Sequence, residues 1–518
     1  MKLNNLYNFK NAVKHFLDVD NLNMPKEIST LDINTLSWSE PFKFRVKKQE
    51  DKYRTLKMPN ILNFVAAYEH FKDLPSFENV QNLDRLHKRL STNIDTGDFV
   101  SGEYDRQLEE DFNRLCIYDH LIKIDIKEYY GRVYTHNLID SQRHNERFLT
   151  GMNNGKTNGL IMGNYLSLYF AETNLKSISL DIEKAIENLE IDCEFSYFSD
   201  DFYFFCNKGD AQKVIKIFDE ILEKYDLERN ENKREVWTYE SFNNYNLVAR
   251  YWKKLIAKCN VRFNREIDNN KLFFINQLVF RLSKLKDDKL KKVFINNFFK
   301  TKYFRELDLE KYQVKDYDYH QLCFILGLSP ETLLYTVDKF NVMSNFKKER
   351  LYKFFQVRYR EALKKQFNEE QLYFYYAIKT FEFTEILEEN KSSVITSNNQ
   401  ILISYYLKDG QFGKEDIEKL KEMLDEQYWF QNYHLILYSE DLQNDLDNSI
   451  RQYLIPKYAK KQKQKDSYME FYRQNILAGL SIVRDIPEVL EEIKDYLVLR
   501  IEEMEEEFED QEEFEVEL

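Results

Sequence analysis

Long apolar runs are missing from this 518-residue chain. No stretch of eighteen consecutive apolar residues occurs, which excludes a membrane-spanning helix of ordinary hydropathy. The opening segment, MKLNNLYNFKNAVKHF, lacks the apolar core and small-residue cleavage site of a secretory signal, so a cytoplasmic location is expected. Cysteine is scarce and scattered. Cys116, Cys193, Cys206, Cys259 and Cys323 form no CxxC pair, which excludes a disulfide scaffold and any familiar zinc-ligand spacing. Glycine and proline are scarce and unevenly placed. Eight of the twelve glycines precede residue 210, and only four Gly and three Pro follow residue 251. So little punctuation predicts long helices with short connections through the second half.

What is present is charge, unevenly spread. The net charge is -14, but IEEMEEEFEDQEEFEVEL at 501–518 holds eleven acids and no base. The rest of the chain is close to balance, at 75 basic against 78 acidic residues. The acidic segment reads as a mobile solubilising tail. Residues 251–305 carry fifteen Lys or Arg against four acids, interleaved with Tyr251, Trp252, Phe263, Phe273, Phe280, Phe294, Phe298, Phe299 and Phe304. That mixture suits a groove that neutralises phosphates and stacks bases, and equally a helical region with an aromatic core and a basic face. A smaller basic cluster, Lys457, Lys460, Lys461, Lys463 and Lys465, reads as a solvated loop or helix face. In KLFFINQLVFRLSKL, Leu272, Ile275, Val279, Leu282 and Leu285 fall on one helical stripe. No fixed repeat period appears.

The first half is mixed. LIKIDI alternates as a strand does, and EFSYFSDDFYFF reads as two strands joined at a tight polar corner. The predicted layout is an α+β domain over 1–250, an all-helical domain over 251–500, and the acidic tail over 501–518. Three segments of the α+β half carry chemistry. In LIKIDIKEYYGRVYTH, a strand delivers Asp125 at its end, with Ile126 next and Tyr130 five positions on. A strand-end carboxylate and an adjoining carbonyl oxygen suit a hard cation such as Mg²⁺. In Phe198-Ser199-Asp200-Asp201, two acids interrupt an aromatic β sequence, where an unpaired buried charge is costly. A hairpin corner exposing both acids is the plainer alternative. Asp125, Asp200 and Asp201 together suit two metal ions acting on attacking and leaving oxygens in phosphoryl transfer. Between them, NGKTNGLIMGNYLSLYF sets Gly155, Gly159 and Gly163 before a helical run, where backbone can approach a nucleotide closely.

These segments resemble the palm of reverse transcriptases. Asp125 with Tyr130 is similar to their motif A, GLIMGNYLS to motif B, and Phe198-Ser199-Asp200-Asp201 to the [FY]-x-D-D of motif C. DLERNENKREVW is similar to motif D, with Lys233 at the lysine position. KYRTLKMPNILNFVAAYEHF resembles the fingers segment. The resemblance spans roughly residues 50–240. The combination KMPN, VYTHN, GNYLS and SDDF resembles more closely the bacterial abortive-infection polymerases of the AbiK and AbiA type, which carry a large helical domain after the palm.

That resemblance implies a reverse-transcriptase-like fingers and palm followed by an all-α domain of the HEAT-like helical-repeat kind. It implies a bacterial phage-defence DNA polymerase that adds dNTPs without a template and is primed on one of its own tyrosines. Single-stranded DNA would stay covalently attached to the protein, and the assembly would be a trimer or hexamer. Two Mg²⁺ ions, or Mn²⁺, would be held by Asp125, Asp200, Asp201 and the carbonyl of Ile126. Tyr130 would lie beneath the sugar and exclude a 2′-hydroxyl. Arg54 and Lys57 would clamp the triphosphate, Gly163 would approach the nucleotide, and Lys233 would protonate pyrophosphate. Where templated enzymes usually have Pro-Gln in motif B, this chain has Ile161 and Met162, a change that alters contacts near a template strand. The 36 tyrosines leave the priming residue open; Tyr7, near the N-terminus, is one accessible possibility. The alternatives are a templated, retron-like RNA-directed DNA polymerase and a binding scaffold with an inactive palm.

Overall fold

A computed structural model describes residues 2–9, 11–26, 28, 31–32, 34–49, 52–100, 103–138, 143–246, 273–285 and 287–516. Among these residues, two small antiparallel sheets sit in a largely helical fold. Strands β1 (Phe42–Gln49) and β2 (Lys52–Met58) form a hairpin with Phe42 opposite Met58 and Val46 opposite Arg54. Period-two alternation turns Phe42, Phe44, Leu56 and Met58 inward. The free edge of β1 is covered: the amides of Arg45 and Lys47 donate to the side chains of Asn368 (2.7 Å) and Glu369 (3.0 Å). Covering removes an exposed row of donors that could pair with another chain.

The second sheet has the order β4-β5-β3-β6, from β3 (His120–Asp125), β4 (Cys193–Phe198), β5 (Asp201–Cys206) and β6 (Glu235–Trp237). In the β3–β5 register, Ile122 faces Phe204, Ile124 faces Phe202 and Asp125 faces Asp201. Ile122, Ile124, Phe202 and Phe204 are buried on one face, where Phe202 and Phe204 meet Phe218 of the Ala211–Lys224 helix. On the other face, Leu121 and Phe205 pack with Leu108, Phe112 and Leu115 of the Glu103–Leu115 helix. Farther along that second face come Lys123 and Tyr203, then Asp125 and Asp201.

From residue 273 onward the described residues contain no strand. The helical half is fastened to the first half through one continuous apolar core. Phe42 meets Trp429 and Phe430 at ring-centroid distances of 5.7 and 5.1 Å, and Tyr468 donates to Asn63 at 2.7 Å. Of the stripe expected from periodicity, Ile275, Leu282 and Leu285 are buried and Val279 is half-buried, while Leu272 lies outside the described residues. Leu278 of the Phe273–Leu282 helix is buried as well, although the stripe did not include it. The acidic segment differs from the mobile tail expected of it: the Ile486–Val516 helix runs into it.

Residues 251–272 of the basic, aromatic stretch lie outside the described residues. In the remainder, Phe280 is 59% exposed, whereas Phe294, Phe298, Phe299 and Phe304 are core residues, so these four rings do not line a base-stacking groove. Their spacing along the Asp288–Phe299 and Lys302–Glu306 helices turns them away from solvent. Tyr7 departs from its expected accessibility as well. It is 1% exposed in the Leu3–Tyr7 helix, and its hydroxyl donates to the Pro59 carbonyl at 2.7 Å. No described helix is long and apolar enough to cross a membrane.

Candidate active site

The polar end of the β3–β5 face gathers the three aspartates singled out from the sequence. Directly opposed residues of an antiparallel pair project to the same side. Asp125 and Asp201 therefore share a face, with Asp200 one position away in the two-residue β4–β5 corner. Ser199 opens that corner at φ 54°, the left-handed region that tight hairpins require at their first loop position. The Ile126 amide donates to the Asp200 carbonyl at 2.9 Å, which fixes the corner against the continuation of β3.

Asp125 is 4% exposed and fully engaged. Its Oδ1 accepts from Asn230 Nδ2 at 2.9 Å and its Oδ2 from Lys233 Nζ at 2.5 Å. Its carbonyl also accepts the Asn230 amide, at 2.7 Å. The loop after the Ala211–Lys224 helix is thus laced to the strand end, with the Lys127 amide donating to the Glu228 carbonyl at 2.9 Å. Asp201 pairs with Lys123 Nζ at 2.9 Å. Burial works against the charge of Lys123, but Tyr203 and Asp201 outweigh it and hold the ammonium well above its ordinary range. Burial pushes the Asp200 carboxyl up, and the nearby charge of Asp125 pushes it further.

Tyr130 is half-buried beside this corner. Burial raises its phenol strongly, Glu172 and Asp200 add to the effect, and Arg54 opposes it, so all three charges reach Tyr130. Its carbonyl accepts the Leu160 amide at 2.8 Å, joining the Asp125 segment to the glycine segment. Gly159 has φ 88°, and a Cβ there would stand 3.0 Å from the Gly131 carbonyl oxygen. Glycine here meets both a backbone conformation and a close approach. Gly163, at φ 123°, faces Leu56 of β2.

Lys57 is placed differently from Arg54. Its Nζ donates to Asn153 Oδ1 at 3.1 Å, and burial followed by the charge of Lys156 pulls its ammonium down. It belongs to the wall made by the glycine segment. Lys123, Asn230 and the buried Lys88–Glu172 pair, at 3.0 Å, were not anticipated. A local signal existed for Lys123 alone, because it precedes Asp125 by two positions on an alternating strand.

Among the described residues, no three His, Cys, Asp or Glu side chains form a set that could by itself hold a metal ion. The donors nevertheless suit a hard divalent cation. They are carboxylate oxygens, one of them on an acid raised by burial and then by its neighbour, and an ammonium at Asp125 marks where positive charge settles.

No protein-family model and no curated protein matches the chain. Among solved structures, telomerase from Candida albicans with a TWJ fragment of telomeric RNA aligns at TM-score 0.29 and 12% identity, covering 80% of this chain and 67% of that one. Apo telomerase from Candida tropicalis aligns at TM-score 0.28 and 13% identity, covering 74% and 69%. TM-scores of this size do not establish a shared fold.

Proposed function

We propose that the chain is a nucleotidyltransferase of the reverse-transcriptase kind, and within it a DNA polymerase of the abortive-infection type. Residues 1–250 would form the fingers and palm, and 251–500 a helical-repeat domain. The observation that carries this reading is the register of β3 and β5. It sets Asp125 opposite Asp201, with Asp200 at the corner and Tyr130 and Arg54 within electrostatic reach. The order and spacing of the five sequence segments support it independently.

In this reading, Asp125, Asp200 and the Ile126 carbonyl would hold Mg²⁺, and Asp201, now paired with Lys123, would be a further carboxylate ligand. Bound Mg²⁺ supplies charge neutralisation to the triphosphate and lowers the pKa of the attacking hydroxyl. Arg54, exposed on β2, meets the triphosphate, and charge-assisted hydrogen bonds from its guanidinium orient it. Tyr130 lies under the sugar and rejects a 2′-hydroxyl by contact. Lys233 leaves Asp125 as the nucleotide arrives and delivers a proton to the departing pyrophosphate oxygen. Lys57 acts through the glycine segment, since Asn153 already holds it. The product is single-stranded DNA attached to a tyrosine of the protein, made without template by a bacterial cytoplasmic homo-oligomer in defence against phage. Burial of Tyr7 removes it from consideration as the primer.

The test is incubation of the purified chain with Mg²⁺ and labelled dNTPs, without template or primer, followed by denaturing gels before and after protease. Label that moves with the protein, shifts on proteolysis and disappears in an Asp200→Ala, Asp201→Ala double variant is the expected result. Extension only when an RNA template and a DNA primer are supplied would replace this reading with a templated reverse transcriptase.

A further inference from the structure

A second site lies away from the carboxylates. A cavity of about 360 Å³ is lined by Trp38, Asn63, Arg147, Phe148 and Tyr458, together with Ser37, whose buried hydroxyl has no hydrogen-bond partner among the described residues. Phe148 is buried, but the other two aromatic members are open. Trp38 is 47% exposed and Tyr458 50% exposed, and their rings meet edge to face at 5.5 Å. Exposed aromatics are ordinary singly, as at Tyr53 and Phe324, and informative where two meet beside a cavity. The indole is held from behind by Gly155, at φ 75°, where a Cβ would stand 2.7 Å from the ring. Only glycine leaves Trp38 its place.

The rim is basic. Tyr458 stands in IPKYAKKQKQK, and Lys457, Lys460, Lys461, Lys463 and Lys465 are all exposed there. Lys460, Lys463, Lys465 and, across the cavity, Arg147 carry no ion pair among the described residues. The acids nearby are committed elsewhere. Glu426 accepts the amides of Glu40 and Lys457, at 2.9 and 3.1 Å, and Glu40 accepts from Asn154. Unpaired lysines spaced along an exposed segment neutralise a series of phosphates, whereas a lone nucleotide needs only one or two.

We propose that this cavity is a base-stacking subsite for single-stranded nucleic acid, with one base against Trp38 and Tyr458 and the backbone running along Lys460 and Lys463. Aromatic platforms beside a basic track are the arrangement that holds single strands without sequence preference. A short stretch of chain ties the cavity to Tyr130. Gly155, against the indole, and Leu160, bonded to Tyr130, are five residues apart, so at most about 18 Å of chain separates them. The site rests on the polymerase reading for its purpose but not for its chemistry.

The test is fluorescence anisotropy of the full chain with a labelled mixed-sequence 12-mer, in deoxy and ribo forms, without dNTP or divalent metal. An otherwise identical oligomer with abasic positions runs beside it. Trp38→Ala and Tyr458→Ala are each expected to weaken binding of the 12-mer by about 5- to 150-fold and to leave the abasic oligomer unchanged. Trp38→Tyr should restore most of the affinity, which separates stacking from a general loss of structure. A Lys460→Glu, Lys463→Glu variant should weaken every oligomer and flatten the slope of log affinity against log salt by about 1.4. Equal binding of abasic and intact oligomers, no effect of either aromatic variant, or saturation of the site by a free mononucleotide at the same concentration would each overturn the proposal. Because no nucleotide is incorporated, a chain that fails the labelling experiment above can still pass this one.

Discussion

Lys233 Nζ and Asp125 Oδ2 stand 2.5 Å apart across 108 residues of sequence. The carboxylate is buried while the lysine side chain is half exposed, so the ammonium closes the site from the solvent side. Lys123 makes the corresponding pair with Asp201 at 2.9 Å. Both lysines neutralise carboxylates whose mutual repulsion the fold would otherwise carry.

Replacing Lys233 separates its two roles. Lys233→Ala should reduce nucleotide incorporation by about 100-fold, the usual scale for a lost proton donor. It also leaves Asp125 with an uncompensated oxygen, so the thermal midpoint without divalent metal should fall and added Mg²⁺ should recover it. A midpoint that ignores Mg²⁺ in the variant would remove Asp125 from the metal site.

Tyr130 sets the sugar preference. Tyr130→Ala should lower the ratio of kcat/KM for dNTP over rNTP by about 10- to 100-fold, because the discrimination is a steric contact and not a hydrogen bond. Competition between labelled dATP and ATP in one reaction measures that ratio. An unchanged ratio would return Tyr130 to a packing role.

Two neighbouring glycines should respond oppositely to the same change. Gly159→Ala meets both φ 88° and the Gly131 carbonyl at 3.0 Å, and should cost about 1–3 kcal/mol in urea unfolding. Gly131→Ala has nothing within 4 Å and sits in the Tyr129–Arg132 helical turn, so it should be neutral or slightly stabilising.

The hairpin edge contains a pH-sensitive contact. Burial, then the neighbouring Glu370, raises the Glu369 carboxyl to about 8 from its ordinary value near 4.5, while its oxygen accepts the Lys47 amide. With the folded value raised, the native state binds the proton more tightly. The contribution is therefore complete below pH 4.5 and lost as pH rises through about 8. Glu369→Gln keeps an acceptor for Lys47 without a charge. It should be more stable than the parent by about 1–3 kcal/mol at pH 9 and equal to it at pH 4, by urea titration at both values.

The amino-acid sequence by itself determined the local pieces. Alternation in LIKIDI and EFSYFSDDFYFF needs only neighbouring residues, so β3, β4, β5 and the corner carrying Asp200 were legible, as was the buried stripe from Ile275 to Leu285. The same alternation held a signal for Lys123 on the face of Asp125, although Lys123 was not anticipated. The tertiary structure decided what no local pattern encodes. Asp125 meets Asp201 through strand register, and Asn230 and Lys233 return to Asp125 through a loop whose sequence contains no periodicity. Tyr7 is buried because Pro59 and the core around it complete its surroundings. Phe294, Phe298 and Phe299 are core residues because a helix turns them there, although their composition among lysines equally suited a binding groove. Trp38 and Tyr458 lie 420 positions apart in the chain, and only the docking of the helical half onto the first places them beside one cavity. Periodicity reports which side of an element is apolar; what that side meets depends on contacts whose loop-closure cost the whole fold must offset.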